Sequence, residues 1–395
     1  MRVVILHNDL RVYWKRRITF LREYLAANNI EFYAVELFGK GSPYAFDPYN
    51  NSENWWSCLF PDNDCTELSK GAISEKIFKK LDEINPDIVI SGSIVFFSGA
   101  IGLRWAKQHQ KKFIMFDDGK PSDIKRNKLV QFVKDTLIKQ ADALWLPSPD
   151  YDIEYPYIDP QKTILFHGFN CIDNAQFKFN DDKRFDHKTI ICVARLVPIK
   201  NMDNLLKAWQ IVEAENNGYK LNIIGNGPLF KQLNELASTL GLINVRFLGS
   251  VDNNSLPQHL YNADCFILAS YSESWGLVVN EAMAAGLPLL LSNKINAGNA
   301  LLQSGINGYS FNPNIINDIA QNILKFIHLD TAAKKAMSAN SLKIISTMDY
   351  DNMGKNLLKT LHLLNNKKFN KPGILASALI KLWDGNYNTS GWDKL

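Results

Sequence analysis

The chain has 395 residues, of which 46% are hydrophobic and 21% are charged, and its formal net charge is +4. This length is too great for one hydrophobic core, so we expect two domains of ordinary globular composition. The sequence holds no run of about 18 apolar residues, and it begins with MRVVILHND, a strand and a polar turn, so we expect neither a membrane-spanning helix nor a signal peptide.

Strands and helices alternate along the first 173 residues. Apolar runs predict strands at residues 3–6, 32–37, 87–90, 113–116, 143–146 and 163–166. Apolar residues at helical spacing predict helices at residues 14–27, 73–84, 98–109 and 128–140. Residues 39–66, rich in Gly, Pro, Asn and Trp, predict a long irregular segment that covers a site. This alternation predicts an α/β fold with a doubly wound parallel sheet.

A charged and polar segment at residues 174–188 predicts an interdomain linker, and a second alternating series follows it. Strands are predicted at residues 189–194, 221–224, 245–248, 265–268 and 289–291 and around Tyr309 and Phe311. Helices are predicted at residues 202–214, 229–240, 256–261, 276–286, 315–328, 331–345 and 350–365. Residues 373–383 predict an amphipathic helix that packs on the protein. The alternative is an interfacial helix with Lys381 and Trp383 at the lipid headgroups.

The cysteine spacing indicates the cellular compartment of the protein, and the charge distribution indicates its binding partners. The five cysteines follow no zinc or redox spacing, which favours a reduced, cytoplasmic protein. Residues 104–139 hold ten Lys and Arg against four Asp. Such an excess indicates either solvated helix faces or attraction to an anionic surface at the inner face of the membrane. No DNA-binding or RNA-binding module accompanies the charge, so nucleic acid is not expected as a partner.

Two glutamates mark the segment with the strongest functional signal. Glu273 lies in a polar loop after a buried strand, and Glu281 lies on the helix that follows, with seven residues between them. The free amides at a helix N-terminus suit a phosphate, and carboxylates suit sugar hydroxyls. The alternative without a ligand is that Glu273 caps the helix and Glu281 is a solvated helix residue.

The segment SESWGLVVNEAMAAGLP resembles the E-x7-E signature of the GT-B glycosyltransferases of family 4, the retaining enzymes that use nucleotide-sugar donors. This resemblance implies two Rossmann-like, doubly wound domains that face a central cleft. It places the acceptor-binding domain at residues 1–173 and the donor-binding domain at residues 189–373, with a final helix at residues 374–395 that crosses back. It also implies that Glu273 contacts the donor sugar and Glu281 the ribose.

Two cations precede this segment in a loop that contains a proline. Arg195 and Lys200 lie five residues apart and could reach one diphosphate, although they could equally be two surface cations. At this position they resemble the R-x4-K motif of the family, which binds the donor diphosphate and steadies the leaving group.

The remaining donor-side residues follow from the resemblance. Gly225 and Gly227 resemble the G-x-G-P turn that lines the nucleotide pocket, and Ser250 lies at the edge that faces the nucleobase. The backbone amides of four residues at the start of the helix are expected to face the sugar and the diphosphate: Ser274, Trp275, Gly276 and Leu277.

Candidates in the first domain are less specific. His7, Asn8 and Arg11 end the first strand, where the family has a loop that faces the acceptor, although the usual glycine pair is absent. After the fourth strand the family often has a histidine, and this chain has Asp117 and Asp118 instead. Either aspartate is a candidate for the group near the reacting centre, and a purely conformational Asp-Asp-Gly turn is the alternative.

The resemblance implies retaining glycosyl transfer without a metal or a resident cofactor, because cations and helix amides can neutralise the departing diphosphate. The nucleotide sugar, with UDP favoured over GDP, is a co-substrate, and the acceptor is a glycan or a lipid-linked hydroxyl in envelope polysaccharide synthesis. Three alternatives stay open: a nucleotide-sugar epimerase, a phosphorylase with lysine-bound pyridoxal phosphate, and a non-catalytic sugar-nucleotide-binding protein.

Overall fold

A computed structural model of the chain describes residues 1–10, 14–40, 53–123, 126–178, 185–215 and 218–385. The chain forms two compact units, each of which is described by itself. Among the described residues, the first domain comprises those of Met1–Phe169 and those from Tyr350 onward, and the second domain comprises those of Asn170–Asp349. Arg11, which the sequence placed on the acceptor side, lies outside the described residues.

The first domain is built on a seven-stranded sheet in which every neighbouring pair is parallel. The strands are β1 (Arg2–His7), β2 (Glu31–Phe38), β3 (Trp56–Phe60), β4 (Ile88–Ser91), β5 (Lys112–Phe116), β6 (Ala143–Leu146) and β7 (Ile164–His167), in the order β3-β2-β1-β4-β5-β6-β7. Helices α1 (Trp14–Ala26), α2 (Lys70–Ile84), α3 (Phe97–Gln108) and α4 (Lys128–Ile138) connect them. The central strands are continuous apolar runs because helices cover both faces of the sheet.

The second domain repeats this plan with a six-stranded parallel sheet. The strands are β8 (Thr189–Val193), β9 (Lys220–Ile224), β10 (Val245–Gly249), β11 (Cys265–Leu268), β12 (Leu289–Ser292) and β13 (Gly308–Phe311), in the order β10-β9-β8-β11-β12-β13. The helices are α5 (Met202–Ala214), α6 (Phe230–Thr239), α7 (Leu256–Tyr261), α8 (Leu277–Ala284), α9 (Asn296–Leu301), α10 (Ile316–Ile327) and α11 (Thr331–Ile345). The predicted α/β class with two doubly wound parallel sheets is confirmed.

The chain returns to the first domain earlier than the sequence indicated. The expected return was the helix from residue 374, but α12 (Tyr350–Asn365) already packs on α1 and β7. Gly354 fits against the rings of Phe20 and Tyr24, where an added Cβ would lie 3.0 Å from Tyr24 Cδ1. Periodicity identifies the apolar stripe of such a helix, but it does not show which sheet receives the stripe.

The last described helix, α13 (Ile374–Leu382), is held firmly on the first domain. The Arg104 guanidinium donates to the Ile380 and Trp383 carbonyls at 2.9 and 2.8 Å. The Trp383 indole N–H donates to the Ile94 carbonyl at 2.7 Å, which agrees with the predicted packing on the protein and not with the alternative place of Trp383 at a lipid headgroup. None of the described helices combines the length and the apolar composition that crossing a bilayer requires.

Two elements were missed by the sequence analysis, and one segment was assigned differently. The first is β3, which forms inside the stretch expected to be irregular because it pairs with the outer edge of β2. The second is α9, which follows β12. At the start of the predicted linker, Asn174 donates to the Ile345 carbonyl at 3.0 Å, and Phe177 is buried. These residues therefore belong to the second domain, whereas residues 179–184 lie outside the described part.

Candidate active site

The strand order of the second domain reverses between β8 and β11, and two groups of predicted site residues follow these strands. Arg195 and Lys200 lie after β8, and Glu273 to Leu277 lie after β11. Adjacent loops leave the carboxyl ends of parallel strands in opposite directions at such a reversal, which opens a binding crevice there. The fold therefore brings the cations and the first glutamate together although 73 positions separate Lys200 from Glu273.

The cation loop is fixed by a residue that the sequence analysis missed. Asn201 is fully buried in a left-handed conformation, with φ of 54°. Its side-chain amide donates to the Ala269 carbonyl at 3.0 Å and to the Pro313 carbonyl at 2.8 Å. A single asparagine thereby joins the loops after β8, β11 and β13, and it sets the position of Lys200 beside it.

The predicted glycine turn after β9 presses against the same loop. An added Cβ on Gly225, where φ is +137°, would lie 1.9 Å from the Ala194 carbonyl oxygen, and one on Gly227 would lie 2.5 Å from the Leu196 carbonyl oxygen. The Leu196 amide donates to the Asn226 carbonyl at 2.9 Å. Both glycines are therefore required by the close approach of two backbone segments.

The loop after β10 lies next to the glycine turn at the same edge of the sheet. The Gly225 amide donates to the Gly249 carbonyl at 2.8 Å, and Ser250, the predicted residue at the nucleobase edge, is exposed directly after β10.

A buried network centres on Glu273, which is 7% exposed. Its carboxylate accepts from the Lys200 ammonium and from the Ser270 hydroxyl, the latter at 2.8 Å. Ser270 is fully buried, and the sequence analysis did not single it out, although its position three residues before Glu273 was available. Lys200 and Glu273 form an ion pair with charge-assisted geometry.

Arg195 has a different environment from Lys200. Its side chain is partly exposed, and within the described residues no acidic partner lies within ion-pair distance of it. Glu273 therefore already neutralises Lys200, whereas Arg195 keeps its charge available for an anion.

The N-terminus of α8 lies beside this network. Gly276 precedes the helix with φ of +96°, and the first amides of a helix have no partner within it. The Trp275 side chain, however, is 2% exposed, and its indole N–H donates to Asn280 Oδ1 at 3.0 Å. Ser274, Gly276 and Leu277 keep their predicted place at the helix start, while Trp275 offers only its backbone.

In the first domain, His7 ends β1 and Asn8 follows it, next to β4, where that sheet also reverses its order. The His7 ring packs against Phe116 at 5.0 Å between centroids. Burial lowers the pKa of His7 to about 4, so its imidazole is neutral at pH 7 and can hydrogen-bond but not neutralise an anion. The Asn8 side chain is buried and has no hydrogen-bond partner among the described residues.

The two aspartates after β5 have separate roles. Asp117 Oδ1 accepts from the Gly119 amide at 3.0 Å, which is the turn-forming arrangement that the sequence analysis held open as the alternative. The Asp118 side chain is exposed. Of the two, Asp118 is the more exposed residue at this edge of the sheet.

Residues 173–343 match the model of the family described as glycosyl transferases group 1. The second domain is therefore a glycosyl transferases group 1 domain. Every donor-side residue from Arg195 to Glu281 lies inside the matched segment of this family. The candidates in the first domain lie outside it: His7, Asn8, Asp117 and Asp118.

Curated relatives share part of the sequence of this chain. A GDP-mannose-dependent alpha-(1-6)-phosphatidylinositol monomannoside mannosyltransferase of Mycobacterium tuberculosis is 34% identical over 116 residues, which is 27% of this chain and 30% of that protein. An N-acetyl-alpha-D-glucosaminyl L-malate synthase of Bacillus anthracis is 28% identical over 187 residues, 47% of this chain and 46% of that protein. The chain thus spans less than half the length of these two relatives.

Solved structures establish the fold over a longer stretch. Sucrose-phosphate synthase from Thermosynechococcus elongatus has a TM-score of 0.74 at 16% identity, covering 92% of this chain and 99% of that chain. Anabaena HepE, solved in complex with UDP, has a TM-score of 0.71 at 16% identity, covering 92% and 100%. These similarities show that the chain has the GT-B fold.

Glu281 of the group 1 domain is partly buried on α8, and burial raises its pKa to about 7. The pKa of an unfolded glutamate is about 4.3, so the folded protein holds this proton more tightly than the unfolded chain does. The proton's stabilising effect is present at low pH and is lost as the pH rises through 7.

We therefore expect Glu281→Gln to gain stability relative to the wild type as the pH rises from 4 to 8, by about 3 kcal/mol at most. Urea unfolding of both proteins across this pH range measures the difference. A stability difference that does not change with pH would contradict the raised pKa. Glu235→Gln, on the exposed face of α6, is the matched control and is expected to show little change.

Proposed function

We propose that the chain is a retaining glycosyltransferase that moves a sugar from a nucleoside-diphosphate sugar to a hydroxyl of a glycan or a lipid-linked acceptor in envelope polysaccharide synthesis. The observation that carries this proposal is the gathering of Arg195, Lys200 and Glu273 at the strand reversal of the second domain, next to the N-terminus of α8. Cations, free amides and an acid are the groups that a diphosphate joined to a sugar requires.

The diphosphate is the leaving group, and its growing negative charge must be balanced as the sugar departs. Arg195 supplies an available guanidinium, which can bind two phosphate oxygens at once. The amides of Gly276 and Leu277 at the N-terminus of α8 add partial positive charge, and Lys200, whose charge is balanced by Glu273, can still donate hydrogen bonds to the phosphates. In this proposal these groups do the work that a divalent metal does in other transferases.

The sugar and the ribose are recognised by the two acids. Glu273 is oriented by Lys200 and Ser270, so its second oxygen can accept from donor-sugar hydroxyls without reorganisation. Glu281 has a carboxylate that is fully ionised only above pH 7, and it accepts from the ribose hydroxyls in that form. Donor affinity is therefore expected to rise with pH through 7.

The transfer step keeps the configuration of the sugar. The bond from the anomeric carbon to the diphosphate oxygen breaks, and the acceptor oxygen forms its bond to the same face. The acceptor proton passes to the departing diphosphate oxygen, so no protein base is needed. Proton NMR of the first product formed tests retention directly, and an inverted product would overturn this part of the proposal.

The structure of neither domain identifies the nucleobase of the donor. One relative is named as GDP-mannose-dependent, and one neighbour was solved with UDP. We propose UDP, and calorimetric titration with UDP and GDP separates the two. Incubation with a panel of UDP-sugars and GDP-sugars then identifies the donor through slow hydrolysis. Absence of binding to every nucleotide would reject the transferase assignment.

Arg195→Ala is expected to weaken the affinity for the donor nucleotide about a hundredfold, because a charge-assisted bidentate contact to the diphosphate is lost. Titration calorimetry with the same nucleotide measures the change. Lys335→Ala removes an exposed cation from α11 of the same domain and is expected to bind like the wild type. Equal affinities of all three proteins would show that Arg195 does not contact the diphosphate.

A further inference from the structure

Exposed apolar side chains are concentrated on two neighbouring helices of the first domain. In the described part of the chain, fifteen large apolar side chains are exposed, and six of them lie on α4 and α13. They are Leu129, Val130, Phe132, Ile374, Leu375 and Leu382. α13 packs on both α4 and α3, so the two helices that carry these side chains are neighbours on the first domain. Exposed apolar side chains concentrated on neighbouring helices indicate an interaction site.

The region is an ordered surface rather than a loose tail. Ala376 and Ile380 are buried under α13, and Arg104 binds the backbone at its C-terminal end. Ile374 is nevertheless 93% exposed, and Leu382 is 78% exposed. The helix thus buries one stripe against the domain and holds a second apolar stripe toward solvent.

Three exposed lysines lie around this region. Lys128 begins α4, Lys371 precedes α13, and Lys381 lies near its end, and all three are exposed. Two acids lie near them: Asp135 on α4 accepts from Gln131 at 2.7 Å, and Asp384, which follows α13, is paired with Arg104. Apolar side chains ringed by lysines complement a surface that is anionic at its boundary and apolar beneath.

We propose that the α4–α13 face, defined by the six apolar side chains and three lysines above, docks the first domain on an anionic lipid bilayer. The apolar side chains enter the boundary between headgroups and acyl chains, and the lysines lie against lipid phosphates. A second copy of the chain is disfavoured as the occupant, because a twofold contact would bring the same lysines together. The proposal stands independently of the transferase assignment, since lipid binding needs no catalysis.

Co-sedimentation with vesicles of phosphatidylcholine, with and without phosphatidylglycerol, tests the proposal. The wild type is expected to bind the vesicles with phosphatidylglycerol and to dissociate as salt is raised. Replacing Lys128, Lys371 and Lys381 together by Gln is expected to weaken binding about a hundredfold, at about fivefold for each lysine. Phe132→Ser combined with Ile374→Ser is expected to reduce binding about tenfold or more even at low salt.

Ile243→Ser is the matched control, because Ile243 is 84% exposed but lies in the second domain. It is expected to bind vesicles like the wild type. The proposal is overturned if wild type and face variants bind equally, or if the wild type does not sediment with either vesicle. It is also overturned if gel filtration shows a dimer that the face variants abolish, because that result identifies a second copy as the occupant.

Discussion

Glu273→Gln is expected to reduce the rate of sugar transfer about a thousandfold while the fold is retained. The amide keeps the shape of the side chain and can still accept from Ser270, but it cannot balance Lys200 or accept as strongly from sugar hydroxyls. Loss of one preorganised electrostatic contact of this kind typically costs a factor of about 100 to 1,000 in rate. The measurement is turnover of the identified donor and acceptor, with thermal unfolding recorded in parallel.

The ion pair changes the expectation for alanine substitutions at the same two positions. The sequence alone suggests that Glu273→Ala or Lys200→Ala abolishes transfer and leaves the fold intact. Lys200→Ala leaves the buried Glu273 carboxylate without its partner, and an uncompensated buried charge typically costs about 3–5 kcal/mol of stability. Glu273→Ala leaves Lys200 without its partner, and this costs less stability because Lys200 is more exposed.

A double variant separates the chemical role from the structural one. Lys200→Met with Glu273→Gln removes both charges and is expected to recover most of the stability that either alanine variant loses, but none of the transfer activity. Near wild-type turnover in Glu273→Gln would remove this carboxylate from the mechanism. Recovery of activity in the double variant would reduce the ion pair to a purely structural contact.

Gly225→Ala is expected to destabilise the second domain by about 3 kcal/mol or more. Two costs add at this position. A φ of +137° is outside the range that an alanine adopts without strain, and the new Cβ would lie 1.9 Å from the Ala194 carbonyl oxygen. To relieve the clash, the turn after β9 must move away from the loop that carries Arg195, so affinity for the donor nucleotide is expected to fall as well.

Gly241→Ala is the matched control for this substitution. Gly241 has φ of +70°, but no heavy atom lies within 4 Å of an added Cβ there, so only the backbone strain remains. We expect a loss of about 1 kcal/mol and unchanged nucleotide binding. Urea unfolding and calorimetry on both variants give the comparison, and equal losses at Gly225 and Gly241 would mean that the close approach of the two loops is not the cause.

Much of the fold was predictable because it depends on local pattern. Continuous apolar runs of four to six residues identified the central strands, and helical spacing identified the helices between them. The misses have a common origin. β3 is recognisable only by its pairing with β2, and the destination of α12 depends on the fit of Gly354 against Tyr24, both of which are contacts between distant segments.

The candidate site divides in the same way. Arg195, Lys200, Glu273 and Glu281 were singled out because the R-x4-K and E-x7-E patterns that contain them resemble the motifs of a known family, and each pattern begins in a loop after a predicted strand. Asn201 and Ser270 were missed, because an asparagine and a serine in polar loops are common, and their role depends on acceptors elsewhere in the fold. The inward direction of Trp275 depends likewise on Asn280.

By itself, the sequence determined the order of the elements, the two doubly wound sheets and the acids and cations that a diphosphate sugar would need. Only the tertiary structure decided that Lys200 is already paired with Glu273 while Arg195 is available, and that the apolar stripes of α4 and α13 remain exposed beside lysines. The reason is physical: backbone propensity and periodicity act over a few residues, whereas charge pairing and burial depend on segments that meet only in the folded chain.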